Sequence, residues 1–391
     1  MSWLLLALAA GCAGPPGAGA DPDVWDWGLP EHFSEPEVPA DNPMSAEKVS
    51  LGRLLFYDFQ ISVDGGRSCG ICHEPAKGFT DGFVKAVGTT GDIHPRNTLS
   101  VANVAWRAAL TWRDPAVLSL EAQLLSPLMG TEPIVEMGMG GEEALLLERL
   151  SDFAPYPELF EAVWPEEPAP ISLDNAARAI AAYERTLITA DSPYDRYLLG
   201  EEGALSEAAL RGMGLFFGER LGCGACHSGL FLDRPLGDDG QLADAPGYFN
   251  TGLYNLDGEG AYPPDDPGLA AITGDPSDTG AFRTPSLRNV AVTGSWSHDG
   301  TVASLEDAVD NYARGGRLLE GVAYAGDGAT SPYKSPLIAG FAISDDERAD
   351  VVAFLEALTD WEALSDPRYA DPFCRDDSGD PTDCLEPLSF D

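Results

Sequence analysis

The chain has 391 residues, enough to bury more than one core, and carries 64 acidic against 23 basic side chains for a net charge of −41. That excess of carboxylates argues against nucleic acid or an anionic membrane surface as partner, since both need cationic patches, and leaves a basic protein partner compatible. With 43 glycines and 31 prolines, long loops are expected between helices, and strands should be few.

The chain opens on an apolar run that ends in Leu8-Ala9-Ala10-Gly11-Cys12. The run is too short to span a bilayer as a stable helix and reads as an export signal, although no Lys or Arg precedes it. Leu8 to Cys12 also resembles a bacterial lipobox, in which Cys12 would be acylated and become the mature N-terminus. A Gly/Pro-rich linker follows to Ala20, and residues 21–43, rich in Pro, Asp and Trp, read as an extended arm laid on the surface. Export would place the protein in the periplasm or tethered at the outer membrane, where disulfides persist.

A first helix is predicted from Ser45 to Tyr57, with Leu51, Leu54, Leu55 and Phe56 as its apolar face. It leads into Cys69-Gly70-Ile71-Cys72-His73. The pentapeptide returns as Cys223-Gly224-Ala225-Cys226-His227, behind a second predicted helix that starts at Ser206 and runs through Leu210, Leu215, Phe216 and Phe217. C-x-x-C-H is the attachment signature of a c-type haem. Two thiols must reach the two vinyl groups of one porphyrin, and the next residue must present an imidazole to the iron from the same short turn. Structural zinc would want four ligands from paired units close together, whereas these copies stand 154 residues apart. Two haems are therefore expected, attached through Cys69 and Cys72 and through Cys223 and Cys226, with His73 and His227 as iron ligands.

Further echoes point to duplication. Gly-x-x-Leu-Phe occurs at Gly52 and at Gly212, and Leu-Ser-Val-Ala-Asn103-Val-Ala is matched by Pro-Ser-Leu-Arg-Asn289-Val-Ala. The expected fold is mainly α, two cytochrome c-like haem domains with long loops and few strands. The domains would span 21–165 and 166–360, between a leader and linker at 1–20 and an acidic tail at 361–391. Pro155, Pro157, Pro165, Pro168 and Pro170 mark the boundary. After it, Ser172 caps a long amphipathic helix with Ala176, Ile180, Tyr183 and Leu187, expected to close the first domain against the second. A capping box, Ser344 and Glu347, begins a last helix through Val351, Phe354, Leu355 and Leu358. Cys374 and Cys384, left over after the haem motifs and Cys12, are expected to pair in the tail.

The remaining axial position of each iron decides function, a filled one suiting electron transfer and an open one suiting peroxide. All six methionines, Met1, Met44, Met129, Met137, Met139 and Met213, precede the second motif. A downstream methionine ligand is thus excluded for the second haem, leaving His298 or a tyrosine.

An ordered set of motifs carries a resemblance across residues 22–360. They are Thr-Gly-Asp-Ile-His94-Pro-Arg96-Asn97-Thr, Thr111-Trp112, Glu-Ala-Gln123, Ser-Pro127-Leu, Glu136-Met-Gly, Arg283 through Thr293, and His298-Asp-Gly-Thr. Together they resemble the bacterial di-haem cytochrome c peroxidase and MauG superfamily. The nearest likeness is to the MbnH-type di-haem enzymes, which share Asn250-Thr-Gly-Leu-Tyr-Asn-Leu256 and Ser192-Pro-Tyr-Asp-Arg196.

The resemblance implies roles. Tyr312 stands where the peroxidases carry a methionine ligand and MauG-like enzymes a tyrosine, which implies His227/Tyr312 ligation; the competing reading is a packed helix residue. Thr89 replaces the removable histidine of reductively activated peroxidases, which implies an open first site, with His94 either a ligand or a pocket wall. Glu136 matches the distal acid that moves a proton between the peroxide oxygens, with Glu132 close in sequence and Gln123 as its hydrogen-bonding neighbour. Trp112 matches the tryptophan between the haems. Asn97, with the carbonyls of Thr293 and Ser295, matches a calcium site. Leu221-Gly222 replaces the tryptophan that precedes the second motif of MauG, so any route of oxidation to the surface must differ. The implied function is an exported enzyme that uses hydrogen peroxide to oxidise a residue, a tryptophan by this likeness, on a small copper-binding secreted partner. Two alternatives are a peroxide-scavenging cytochrome c peroxidase fed by a small electron donor and an electron-transfer cytochrome with both irons closed.

Overall fold

The computed structural model describes residues 25–237 and 239–373. The expected acylation of Cys12 and the Cys374–Cys384 disulfide lie outside those residues. The N-terminal half contains α1 (Ala46–Tyr57), the single turn α2 (Cys69–Cys72), α3 (Leu120–Met129), α4 (Glu143–Asp152), α5 (Tyr156–Val163), α6 (Leu173–Arg185) and α7 (Pro193–Leu198). The C-terminal half contains α8 (Glu207–Phe216), the short α9 (Ala270–Thr273), α10 (Leu305–Arg314), α11 (Asp345–Glu356) and α12 (Trp361–Leu364). Two small antiparallel ribbons complete it, β1 (Tyr248–Asn250) with β2 (Ala281–Arg283) and β3 (Leu318–Leu319) with β4 (Gly326–Asp327). The mainly helical fold is as the sequence predicts.

Helix starts follow local chemistry. Ser45, Ser172, Ser206 and Ser344 each accept the backbone N–H three residues on, and Ser344 with Glu347 closes the expected capping box.

The duplication is visible in packing. At Gly52, α1 crosses α6 so closely that an added Cβ would stand 1.9 Å from the Ala179 carbonyl oxygen; at Gly212, α8 crosses α11 with 1.8 Å to the Asp350 oxygen. The glycine of each repeated Gly-x-x-Leu-Phe is thus the point where two backbones touch. The echoed asparagines converge as well. Asn103 and Asn289 both adopt left-handed backbone conformations, with φ of 54° and 60°. Their amides donate to the same hydroxyl, Thr189 Oγ1, at 2.8 and 3.0 Å.

Three placements differ from the sequence reading. Helix α6 lies in the first core, where Ala176, Ala179, Ile180 and Tyr183 meet Leu51, Leu55 and Phe56, so that core runs on to Leu187 past the proline boundary at 165. Both α1 and α3 pack on α6, so its apolar face is taken up within the first core. The start of the expected tail also belongs there. Leu364, Tyr369 and Phe373 are buried in the first core, and Arg53 holds the carbonyls of Pro367 and Ala370. The arm does not simply lie on the surface. Phe33 is wedged edge-on between Trp106 and Phe231, 5.6 Å from each, while His32 Nε2 meets Asp195 Oδ1 at 2.9 Å.

The second core gathers Phe216, Leu221, Val309, Val351, Phe354 and Leu355; a third, between the halves, holds Trp112, Leu253, Tyr254, Tyr262, Phe282 and Val302. Among the described residues no helix is long and apolar enough to cross a membrane.

Candidate functional site

Both pentapeptides end in a histidine whose ring is fixed by the loop that follows. His73 Nδ1 lies 3.0 Å from the Phe79 carbonyl oxygen, and His227 Nδ1 2.8 Å from that of Leu232. A carbonyl can only accept, so Nδ1 carries the proton and Nε2 keeps its lone pair, the tautomer an iron ligand needs. Burial lowers both imidazoles below the usual histidine value, which keeps them neutral. Phe79 and Leu232 are fully buried and both have positive φ, so the two loops are bent alike. A phenylalanine from the preceding helix stands 6.4 Å from each ring, Phe56 at His73 and Phe216 at His227.

Burial pushes all four motif thiols up, Cys72 and Cys223 to about 12 and Cys226 to about 11. Among the described residues no three His, Cys, Asp or Glu side chains converge as a metal site.

Around the first motif, the loops bearing Thr89 and Glu136 are clamped together, with Thr89 N donating to Glu136 O at 3.0 Å and Val63 N to Met137 O at 2.9 Å. Burial raises the Glu136 carboxyl, with Arg96 opposing, and its charge reaches both Cys69 and Cys72. Glu132 is exposed on the outer stretch of the same loop. His94 Nε2 sits 3.9 Å from Glu136 Oε1. His94 Nδ1 lies 3.0 Å from both the backbone N–H and the carbonyl oxygen of Arg96, which anchors the ring with Nε2 toward the carboxylate. Burial and the Arg96 cation hold this imidazole down at about 4. The Thr89 hydroxyl is buried with no hydrogen-bond partner. Gln123 does not bond Glu136 as expected. It sits half-buried on the shoulder of α3, whose inward face is Leu120, Leu124 and Leu128.

The second motif opens on a cavity of about 600 Å³ lined by Cys223, Cys226, His227 and Tyr312, within the range of about 300–1,000 Å³ typical of ligand sites. Tyr312 follows Leu305 and Val309 at helical spacing on the buried face of α10, and it is 36% exposed because it opens into this space. Burial raises its phenol, and the Cys226 and Cys223 thiols add to the effect. His298 lines the same cavity, but its ring lies flat on Phe282 with centroids 3.6 Å apart and planes at 12°. An apolar cavity with a fixed imidazole, two thiols and a phenol fits a haem c, and the orphaned Thr89 hydroxyl beside Glu136 fits a polar ligand at the first motif.

Trp112 lines the cavity from the other half, its indole N–H donating to Asn97 O at 2.8 Å and its carbonyl accepting from Arg283 N at 2.8 Å. Asn97, Thr293 and Ser295 also line that wall. Asn97 Nδ2 is spent on the Phe83 and Val84 carbonyls, the Thr293 carbonyl accepts from the Thr80 hydroxyl at 3.0 Å, and Ser295 is left-handed with φ of 49°.

Sequence reasoning missed Glu184. It is 3% exposed on α6, its Oε2 is unpartnered, and burial pushes it up to about 8 beside Cys69. The available signal was a glutamate on an otherwise alanine and tyrosine face. It missed too the bidentate Arg288–Asp195 pair, at 2.7 and 2.8 Å, into which His32 docks.

Residues 46–203 match a family model described as di-haem cytochrome c peroxidase. The methylamine utilization protein MauG of Methylorubrum extorquens AM1 is 36% identical over 352 residues, 89% of either chain. The cytochrome-c peroxidase IdrP1 of Pseudomonas sp. strain SCT is 36% identical over 345 residues, 84% of either chain. The crystal structure of a MauG-like protein associated with microbial copper homeostasis superposes with a TM-score of 0.84 at 45% identity, covering 89% of this chain and 99% of that one. The chain therefore belongs to the di-haem cytochrome c peroxidase family, MauG among its members, and is a haem-dependent oxidoreductase.

Proposed function

We propose that this protein reacts with hydrogen peroxide on the His73 side, stores the oxidising equivalents across both halves, and spends them on a residue of a partner protein. The observation that carries the reading is the asymmetry of two otherwise repeated sites. The cavity that His227 lines also offers a phenol, Tyr312, whereas the loops around the first motif offer Thr89, His94 and Glu136.

Bound at the two motifs, haem would supply the iron that accepts peroxide and the redox states that hold the oxidising equivalents. This chain's residues do the rest. His73 and His227, oriented by their Nδ1 bonds, would hold the haem irons through Nε2. Glu136, whose carboxyl burial raises above the ordinary glutamate value, takes the proton from one peroxide oxygen and returns it to the other. Thr89 presents a hydroxyl instead of an imidazole at its own position, and His94 lines the site beside Glu136. Tyr312 would offer its phenol oxygen to the second iron, and an anionic oxygen ligand favours oxidised iron. Trp112, fixed on Asn97 O in the seam, relays single electrons between the halves. Asn97 Oδ1 and the carbonyls of Thr293 and Ser295 would hold a calcium ion, a set of hard oxygens suited to that cation.

The tryptophan target and the small copper-binding secreted partner rest on the resemblance of the sequence motifs to the MbnH-type enzymes, and the similarity to a MauG-like protein associated with microbial copper homeostasis agrees with the copper link alone. We place the protein outside the cytoplasm, where haem c is attached, either free in the periplasm or tethered at the outer membrane through an acylated Cys12.

The test is the absorption and EPR of wild type against Tyr312→Met. A changed low-spin signal for one haem, with a high-spin signal persisting for the other, is expected. Identical ligation in both proteins would remove Tyr312 as a ligand, and a resting protein with no high-spin iron would indicate an electron-transfer cytochrome. Steady turnover of peroxide with a reduced small cytochrome, and none with a protein target, would favour the scavenging peroxidase.

A further inference from the structure

Oxidation that is to reach a partner needs a way out of the second cavity, and Leu221-Gly222 provides no aromatic ring in front of the second motif. The cavity wall does. His298 lies on Phe282, and the Tyr262 ring stands 6.3 Å from His298. Tyr254 stands 5.4 Å from Tyr262, and Tyr324 6.1 Å from Tyr254. Tyr254 is buried at 5% exposure, whereas Tyr324, in the turn between β3 and β4, is 48% exposed. The rings thus run unbroken from cavity to surface.

We propose that Tyr254 and Tyr324 are a two-step relay carrying oxidation from the second cavity to the surface at the β3–β4 turn. The proposal rests on the reading above, that oxidising equivalents leave this chain for a partner.

The hydrogen bonds distinguish the members of the chain. Tyr262 donates to the amide oxygen of Asn250 at 3.0 Å, which is no base, so its ring serves as a bridge. Tyr254 donates to a carboxylate oxygen, Asp299 Oδ2. Ser297 and Thr301 donate to the other oxygen of that carboxylate at 2.6 and 2.8 Å. The Arg317 guanidinium lies 4.6 Å from the centre of the Tyr254 ring. A cation so placed opposes a positive charge on the ring, so Tyr254 can lose an electron only as its proton leaves. An oxidised phenol is a far stronger acid than a neutral one, and Asp299 is in place to take that proton.

The steps balance. Tyr254 gives one electron toward the cavity and its phenolic proton to Asp299. It recovers an electron from Tyr324 and the proton from Asp299, while Tyr324 releases its own proton to water. Tyr324 then takes one electron and one proton from the partner residue. Two such passages remove two electrons and two protons from the partner, matching the reduction of one hydrogen peroxide to two waters.

The experiment treats the holoprotein with peroxide in the presence of a nitrone spin trap, maps the adducts by mass spectrometry, and follows oxidation of glycyl-tryptophan as the probe. Wild type is expected to carry the trap on Tyr324. Tyr324→Phe should lose that adduct and oxidise the probe about tenfold more slowly. Asp299→Asn and Tyr254→Phe should do likewise, each with unaltered resting absorption and circular dichroism as evidence of intact structure. Adducts elsewhere in wild type, or variants with wild-type rates and adducts, would overturn the relay and leave the proposed function standing. If wild type with peroxide yields no trapped radical and no oxidised probe, the proposed function fails and the relay falls with it.

Discussion

The repeated glycines make a prediction that can be worked from the coordinates. In Gly212→Ala the new Cβ would stand 1.8 Å from Asp350 O, 2.4 Å from its carbon and 2.9 Å from Val351 N. Real Cβ contacts essentially never fall below 3.0 Å, so α8 must retreat from α11 by at least 1.2 Å along that line. The obstacle is backbone, and Val351, Phe354, Leu355 and Phe216 fill the space around it, so no side chain can swing clear. Overpacking of this kind costs about 1–3 kcal/mol. Gly214 lies on the same helix with nothing within 4 Å of its would-be Cβ. Gly214→Ala should therefore gain up to about 1 kcal/mol from alanine's better helix propensity. Urea denaturation of the two holoproteins, followed by circular dichroism, isolates the overpacking as their difference. Gly212→Ala should also shift the absorption of the second haem, since Phe216 moves with α8 against His227. A Gly212→Ala protein as stable as Gly214→Ala would refute the argument that this glycine is a backbone contact.

Glu136→Gln keeps the size of the side chain and removes its proton acceptor, so stopped-flow reaction with peroxide should slow by about 10²–10⁴-fold, whereas exposed Glu132→Gln should not slow it. Glu184 is raised to about 8, so between the ordinary glutamate value and 8 the folded chain binds more protons than the unfolded one. Wild-type stability should fall as pH rises through that window, and denaturation midpoints of Glu184→Gln should lose the slope. Arg288→Leu strands Asp195, whose carboxyl Arg288 holds at about 2 against the opposing effect of burial. A loss of about 3–5 kcal/mol is expected from denaturant unfolding, largely restored by adding Asp195→Asn. In wild type the depressed carboxyl contributes its stability above the ordinary aspartate value, and that contribution fades as pH falls toward 2.

What the sequence made legible was local chemistry. Serine caps act over three residues, and C-x-x-C-H must present its imidazole from one turn, so Ser45, Ser172, Ser206, Ser344 and both haem motifs stood out. The echoes at Gly52 and Gly212 and at Asn103 and Asn289 announced a repeat, but not that the first pair is helix contact and the second a shared seam. Longer-range facts were hidden. An alanine face on α6 does not say which helix covers it, and nothing near Phe33 says that it will wedge between Trp106 and Phe231, far along the chain. Tyr254 was visible only as part of a motif. Its pairing with Asp299 across 45 positions needed the fold.

Thr189 sets a mechanical limit on the molecule. A hydroxyl oxygen has two lone pairs, and here both are claimed, one by Asn103 and one by Asn289. The two halves are therefore pinned at a single buried atom, with Thr189 N returning a bond to Asn103 Oδ1 and Asp360 N capping Asn289 Oδ1. A hinge opening there would strand several buried polar groups at once, each costing about 1–3 kcal/mol. A joint held this way resists any motion that would change the spacing between the two C-x-x-C-H motifs, and a fixed spacing is what the proposed passage of electrons between the halves would require.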